Sequence, residues 1–225
     1  MDNKTYDVII AGGGPAGYTA AMYAARSGYT VAVVEQMSAG GQMATTETVE
    51  NYPGFDDGID GFELGERMQR GAERFGAVTV YAEIKSLNLK ASPKTVETTA
   101  GELNAKAVVI ATGAKPRLLG VEGERELTGK GVAYCAVCDG MRYKGKVAVV
   151  AGGGNSAAAD ALYLSKICEK VYLVHRRDRL RASKVYTCLL YTSDAADVRT
   201  KPLRQIVTAA ADGATCSHFI EEYLG

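Results

Sequence analysis

A run of apolar residues, Val8-Ile9-Ile10-Ala11, leads into Gly12-Gly13-Gly14-Pro15-Ala16-Gly17. The same kind of opening recurs 140 positions later, where Ala148-Val149-Val150-Ala151 leads into Gly152-Gly153-Gly154-Asn155-Ser156-Ala157. The register carries into the next strand pattern, in which Val31-Ala32-Val33-Val34-Glu35 aligns with Val171-Tyr172-Leu173-Val174-His175. A buried strand that breaks at clustered glycines and restarts as a helix opens a β-α-β unit that binds a dinucleotide. Two such openings in one chain predict an α/β fold with two Rossmann-like dinucleotide-binding domains, the second one truncated.

In such a turn the first glycine makes the bend and the second lets backbone approach a pyrophosphate. The pyrophosphate sits at a helix N-terminus, where free N–H groups and the helix dipole favour negative charge. The two copies differ where the second strand ends. Glu35 can accept hydrogen bonds from a ribose 2′-OH and repels a 2′-phosphate, whereas Arg176 and Arg177 suit a 2′-phosphate through charge-assisted donors. The first site therefore reads as one for FAD and the second as one for NADPH.

The bulk numbers narrow the setting. The 225 residues hold 26 basic and 26 acidic side chains, so there is no electrostatic footprint for nucleic acid or an anionic membrane. No apolar run approaches the ~20 residues of a membrane span. Met1 to Thr5 leads directly into the first strand pattern without a signal-peptide composition, and the expectation is a soluble, cytoplasmic chain.

Along the chain, the first β-α-β pattern covers Tyr6 to Glu35, with small faces on its helix at Ala20, Ala21, Ala24 and Ala25. Ser38 to Phe55 is a long Gly/Thr/Asn-rich loop, of a length that is usually functional. Gly61 to Phe75 predicts a surface helix, and Val78 to Thr99 predicts short antiparallel strands. Ala107 to Ala111 is a buried-strand pattern ending at Thr112-Gly113, and Lys115 to Gly131 reads as the linker between domains. Cys188 to Ala196 matches no element, and Pro202 to Gly225 reads as a loop and a helix. The expected division is 1–114 for the first part of the FAD domain and 115–186 for an incomplete NADPH and dithiol domain. An anomalous junction follows at 187–196, and 197–225 returns to the FAD domain.

Five cysteines are too few, and odd in number, for a secreted disulfide framework. Cys135 and Cys138 form a CxxC pair followed by Asp139. Thiols at this spacing can close a small disulfide, and Asp139 can move a proton as it opens. A zinc site would need four ligands, and no second CxxC or His pair supplies them; inert structural thiols remain a further reading. Flavin, nicotinamide and dithiol together imply a route in which hydride passes from NADPH to flavin, the flavin reduces the disulfide, and the dithiol reduces an outside disulfide.

At this level of detail the chain resembles the low-molecular-weight, bacterial-type thioredoxin reductases. The resemblance rests on 12–17, Gly40-Gly41-Gln42-Met43, Val49-Glu50-Asn51-Tyr52-Pro53-Gly54, Ala111-Thr112-Gly113-Ala114, 135–140, 152–157, and His175-Arg176-Arg177-Asp178 with Arg181-Ala182. It implies FAD held by Gly12, Gly14, Pro15, Ala16, Gly17, Glu35, Gln36, Gly40, Gly41, Gln42, Asn51, Thr112 and Gly113. It implies NADPH held by Gly152, Gly154, Asn155, Ser156, His175, Arg176, Arg177 and Arg181, and catalysis by Cys135, Cys138 and Asp139. It also implies a homodimer, a thioredoxin or thioredoxin-like partner, and a rotation that presents nicotinamide and dithiol to the flavin in turn. The resemblance resumes at Asp197, with Arg204 and Gln205 expected on the flavin. Between Lys184 and Asp197 about 90–100 residues of the family pattern are missing, which fits an internal deletion or foreign sequence joined in frame. Alternatives are a non-catalytic FAD-binding fragment of such an enzyme and a flavoprotein that feeds a peroxiredoxin. The latter carries an extra N-terminal redox module. A ferredoxin–NADP reductase relative would lack the dithiol.

Overall fold

The computed structural model describes residues 5–192 and 206–224; Asp197, Arg204 and Gln205 lie outside them. In chain order the elements are β1 (Thr5–Ala11), α1 (Pro15–Arg26), β2 (Val31–Glu35), α2 (Gly61–Glu73), β3 (Val78–Tyr81), β4 (Ile84–Asn88), β5 (Lys94–Thr98) and β6 (Gly101–Ile110). They continue as α3 (Ala136–Asp139), β7 (Val147–Ala151), α4 (Asn155–Leu164), β8 (Lys170–Val174), α5 (Lys184–Thr192) and α6 (Ile206–Leu224). Among the described residues they divide into two compact units, 5–114 with 206–224, and 115–192.

The first unit is built on a six-stranded sheet in the order β3-β2-β1-β6-β5-β4. β1 runs parallel to β2 and β6, and both faces of its apolar run are covered: Val8, Ile9 and Ile10 are fully buried. Alternation sorts them. Val8 and Ile10 share a core with Val31, Val33 and the alanine face of α1, while Ile9 packs with Ala32, Val34, Val96 and Ala105 on the other side. This is why these strands read as continuous apolar runs rather than alternating ones. Burial of each such side chain stabilises by about 1.5–3 kcal/mol.

α1 starts at Pro15, whose missing N–H would be unpaired there in any case, and the chain turns out at Gly28. α2 is capped by the Asp60 carboxylate, which accepts the Glu63 N–H at 2.9 Å. α6 lies along α1 so closely that a Cβ at Gly213 would run into the Ala16 carbonyl. That contact accounts for a glycine in mid-helix despite its poor helix propensity.

Two expectations are corrected here. β3 is not antiparallel: it pairs parallel with β2, because α2 carries the chain back across the sheet before β3 begins, whereas β4 and β5 do pair antiparallel. β6 serves two neighbours, its first half antiparallel to β5 and its second half parallel to β1.

The second unit repeats the β-α-β opening on a smaller scale. β7 and β8 form a two-stranded parallel sheet with α4 against one face. Among the described residues nothing covers the other face, where Val147, Val149, Tyr172 and Val174 are 56%, 64%, 47% and 56% exposed.

Two further expectations change in this unit. Cys188 to Thr192, unplaced from sequence, belongs to helix α5. The stretch from Lys115 to Gly131 is not a plain linker, because turns of the 115–134 segment close on Glu124. The Glu124 carboxylate accepts the N–H groups of Leu119 (2.8 Å) and Gly120 (2.6 Å) and the Tyr134 hydroxyl (2.9 Å). The Leu119 N–H, working against burial and together with Gly120 and Tyr134, holds that carboxyl below the usual range.

Candidate functional site

In the first unit the strand β1 ends at Gly12, whose φ of 106° is open to glycine and strained for other residues. A Cβ at Gly17 would collide with the Gly12 carbonyl, so the helix can approach the strand only because position 17 lacks a side chain. Gly13 donates its N–H to Glu35 Oε2 at 2.7 Å, and Glu35 Oε1 accepts from Gln36 and Met37. The Gly40 N–H in turn donates to the Gly13 carbonyl at 2.8 Å. A Cβ at Gly12 would strike Ala111 and Thr112, and one at Gly41 would sit 3.4 Å from Gly14.

The fold thus gathers Gly12, Gly13, Gly14, Glu35, Gly40, Gly41 and the Ala111–Thr112 link around the start of α1, beside Pro15, Ala16 and Gly17. Gln36, Gln42 and Gly113 adjoin these by sequence. Asn51 is exposed and lines a hollow formed by residues 50–56.

The second turn reproduces this wiring. The Gly12 N–H donates to Val34 O, and the Gly152 N–H to Val174 O, both at 2.9 Å. Where Gly40 meets Gly13, Arg181 and Ala182 donate to the Gly153 carbonyl at 2.6 and 3.0 Å. Asn155 Oδ1 accepts the Ser183 N–H at 2.7 Å, so the loop after β8 is tied to the start of α4. The residue under the middle glycine is His175, against which a Cβ at Gly153 would clash. Arg176, Arg177, Arg181 and Ser156 are exposed around the turn.

Both turns fit a pyrophosphate by shape. A Cβ added to Gly14 or Gly154 would meet nothing within 4 Å, and neither helix start has a side-chain cap. Space and uncapped N–H groups therefore face the same point, as an anion requires. In the second turn His175 Nε2 is buried without a hydrogen-bond partner among the described residues. A buried nitrogen left in that state costs free energy that a bound polar ligand would recover.

The dithiol also lies in the second unit. Cys135 and Cys138 form a disulfide across α3, and the Cys138 N–H points at Cys135 Sγ at 3.2 Å. Cys138 is exposed among half-buried neighbours, Cys135 is half-buried, and Asp139 follows at the end of α3. Gly140 is buried where this segment meets α4 and the turn after it: an added Cβ would press on the side chains of Tyr163, Leu164 and Ile167 at 2.9–3.2 Å.

Sequence reading missed two residues here. Asp160 on α4 faces the Ala136 N–H, and burial, opposed by that N–H, raises its pKa. Its signal was available: it is the lone acid on a helix whose buried face is Ala158, Ala161 and Leu164. Glu124 gave none, since it stands among Glu122, Arg125 and Glu126 as one charge of several. Among the described residues no helix is long and apolar enough to cross a membrane.

Comparison with known proteins agrees with this layout. The family model described as pyridine nucleotide-disulphide oxidoreductase matches residues 6–221. The thioredoxin reductase of Bacillus subtilis is 47% identical over 196 residues, which is 87% of this chain and 62% of that protein. The thioredoxin reductase of Listeria innocua is 46% identical over 87% of this chain and 61% of its own length. The chain therefore spans about three fifths of these curated relatives. Among solved structures, a thioredoxin reductase from Streptococcus pyogenes aligns at a TM-score of 0.83 with 34% identity, covering 99% of both chains. One from Giardia duodenalis aligns at 0.77 with 39% identity, covering 85% of this chain and 62% of that one.

Proposed function

The chain belongs to the pyridine nucleotide-disulphide oxidoreductase family, among the thioredoxin reductases, and on that premise we propose that it is an NADPH-dependent flavoprotein that reduces the disulfide of thioredoxin or a thioredoxin-like protein. The observation that carries the reading is the union, within one compact unit, of a nucleotide turn flanked by Arg176, Arg177 and Arg181 with a closed Cys135–Cys138 pair.

In this reading the first turn holds the FAD pyrophosphate on the N–H groups of α1, and Glu35, already fixed by Gly13, accepts from the ribose. Gln36, Gln42, Asn51, Thr112 and Gly113 belong to the same site, as do Asp197, Arg204 and Gln205. The second turn holds NADPH, with Gly152, Gly154, Asn155 and Ser156 at the phosphates and the arginines on the 2′-phosphate. His175 supplies the buried nitrogen. Bound FAD would supply the two-electron step between nicotinamide and disulfide. The reduced pair then gives two electrons and two protons to the partner's disulfide: the partner's S–S bond breaks as the Cys135–Cys138 bond re-forms. Asp139, next to the exposed sulfur, handles a proton of that exchange. A homodimer and a cytoplasmic location are part of the same proposal.

The β7–β8 face that the described residues leave uncovered favours a second reading, a FAD-binding fragment that does not turn over. The two separate cleanly. A purified chain with flavin absorbance that bleaches under anaerobic NADPH supports the enzyme. Flavin that stays oxidised under NADPH supports the fragment. A colourless chain refutes both. In a turning-over chain, Cys138→Ser should abolish disulfide reduction and leave flavin bleaching intact. Neutralising Arg176 and Arg177 together should lower the preference for NADPH over NADH by about 10–100-fold, the value of charged hydrogen bonds to a phosphate.

A further inference from the structure

We propose that Glu124 is a positioning residue for the dithiol: its carboxylate joins the Tyr134 hydroxyl to the backbone at 119–120, holds the chain that enters Cys135, and so favours the closed Cys135–Cys138 pair over the open one. The inference rests on the reading of Cys135–Cys138 as the redox pair.

Every contact is a direct hydrogen bond within the second unit. Glu124 is 5% exposed, whereas Glu122, Arg125 and Glu126 around it are exposed. Its Oε1 accepts the Leu119 N–H at 2.8 Å and the Tyr134 hydroxyl at 2.9 Å, and its Oε2 accepts the Gly120 N–H at 2.6 Å. The Thr128 hydroxyl donates back to the Glu124 carbonyl at 2.9 Å. The Leu127 N–H donates to Gly123 O and the Val132 N–H to Leu127 O, which closes the chain between Glu124 and Tyr134. One carboxylate thus gathers both ends of the 119–134 segment.

The next residue after Tyr134 is Cys135, the N-cap of α3, with extended backbone at φ −140° and ψ 102°. Its Sγ lies 3.2 Å from the Cys138 N–H, and its carbonyl accepts the Asp139 N–H at 3.0 Å. Cys135 is therefore held from the C-terminal side by α3 and from the N-terminal side by Tyr134 on Glu124. Closing a disulfide costs the conformational freedom of the residues that bring the sulfurs together. A tether that orders Cys135 beforehand lowers that cost, as preorganisation does in binding. The tether is a hydrogen bond to a charged group shielded from water, which is among the stronger kinds.

The full chain tests this in air-free mixtures of reduced and oxidised dithiothreitol. The two thiols of the reagent close to a ring disulfide as the Cys135–Cys138 bond opens, and the reverse exchange re-forms it. Acid quenching, alkylation and mass measurement then give the reagent ratio at which half of the pair is open. Tyr134→Phe keeps the ring and removes the hydroxyl. The pair should then open at a ratio of reduced to oxidised reagent about 3–10-fold lower than in the parent, part of what such a hydrogen bond is worth. A general loss of stability in a chain that stays folded would leave this ratio where it was.

Glu124→Gln cannot satisfy all three donors, because its amide nitrogen has no lone pair to offer. It should shift the ratio in the same direction. The double variant should shift it by less than the product of the two single fold-changes, since both act through one carboxylate. A Tyr134→Phe ratio equal to the parent's overturns the assignment, whether or not Glu124→Gln folds. Independent, multiplicative shifts overturn it as well, since Tyr134 would then act without Glu124. A parent pair that no ratio of the reagent opens refutes the redox reading itself, a separate and earlier failure.

Discussion

The two glycine turns are wired alike and housed differently. Val34 O takes the Gly12 N–H as Val174 O takes the Gly152 N–H, and a later loop returns to the middle glycine's carbonyl in both. Yet Ile9 is fully buried, while Val149, the residue in its register position, is 64% exposed. Local hydrogen bonding thus reproduces a nucleotide turn without a complete sheet behind it, whereas burial depends on neighbours. β1 has strands on both sides and helices over it. Among the described residues β7 has one partner strand, β8, and a helix over one face. The first turn stands on a core that covers its apolar runs, and the second carries the same kind of runs with one face uncovered by the described residues.

The sharpest way to break this contrast is to truncate the matched pair. Ile9→Ala should destabilise the first unit by about 3 kcal/mol, and Val149→Ala should change the second by less than about 0.5 kcal/mol. Denaturant melts with hydrogen exchange resolved by segment would check both, and equal costs would mean that the outer face of β7 is covered in solution.

A smaller effect is expected at the third position of the turn. The first copy has Gly17, and the second already has Ala157. Gly17→Ala would drive a methyl group into the Gly12 carbonyl and should cost about 2 kcal/mol in the same melts. Ala157→Gly removes no clash and should cost about 1 kcal/mol through helix propensity. If Gly17→Ala were neutral, the close approach of α1 to β1 would not be needed.

The smallest expected effect concerns acid stability, again in the first unit. Asp7 is lowered to about 2 by the Lys106 ammonium and by the Thr30 N–H and hydroxyl. Its folded pKa lies below its unfolded value, so its contribution is complete above about pH 4 and is lost as pH falls through 2. Lys106 is largely exposed, which limits that contribution to about 1 kcal/mol. Asp7→Asn should lower stability at neutral pH by that amount and flatten the acid limb. Urea midpoints measured at pH 7 and at pH 3 would show it, and parallel acid limbs in parent and variant would count against the Asp7 clamp.

Much of the fold was legible because it is written in short-range patterns. Runs such as Val31 to Val34 mark buried strands, and clustered glycines mark the turns. The alanine face of α1 marks a helix that packs closely on a sheet. The direction of β3 was not legible, because Val78 to Tyr81 has the same alternation whether it pairs parallel or antiparallel, and the α2 crossover decides. The joining of Cys188 to α5 was missed for a similar reason, since the apolar pattern of 184–192 is short and its helix borrows contacts from α4. At the dithiol, the CxxC spacing announced the pair, but nothing local could link Asp160 to Ala136.

From the residues alone follow the two turns, the opposite charges that follow them, and the CxxC pair, because each depends on side chains close together in the chain. Tertiary structure decided which apolar faces are covered, which carboxylates reach distant N–H groups, and how Glu124 ties down the segment before the cysteines. Those outcomes depend on contacts between residues far apart in sequence, and burial and electrostatic screening are properties of the assembled neighbourhood rather than of any one residue.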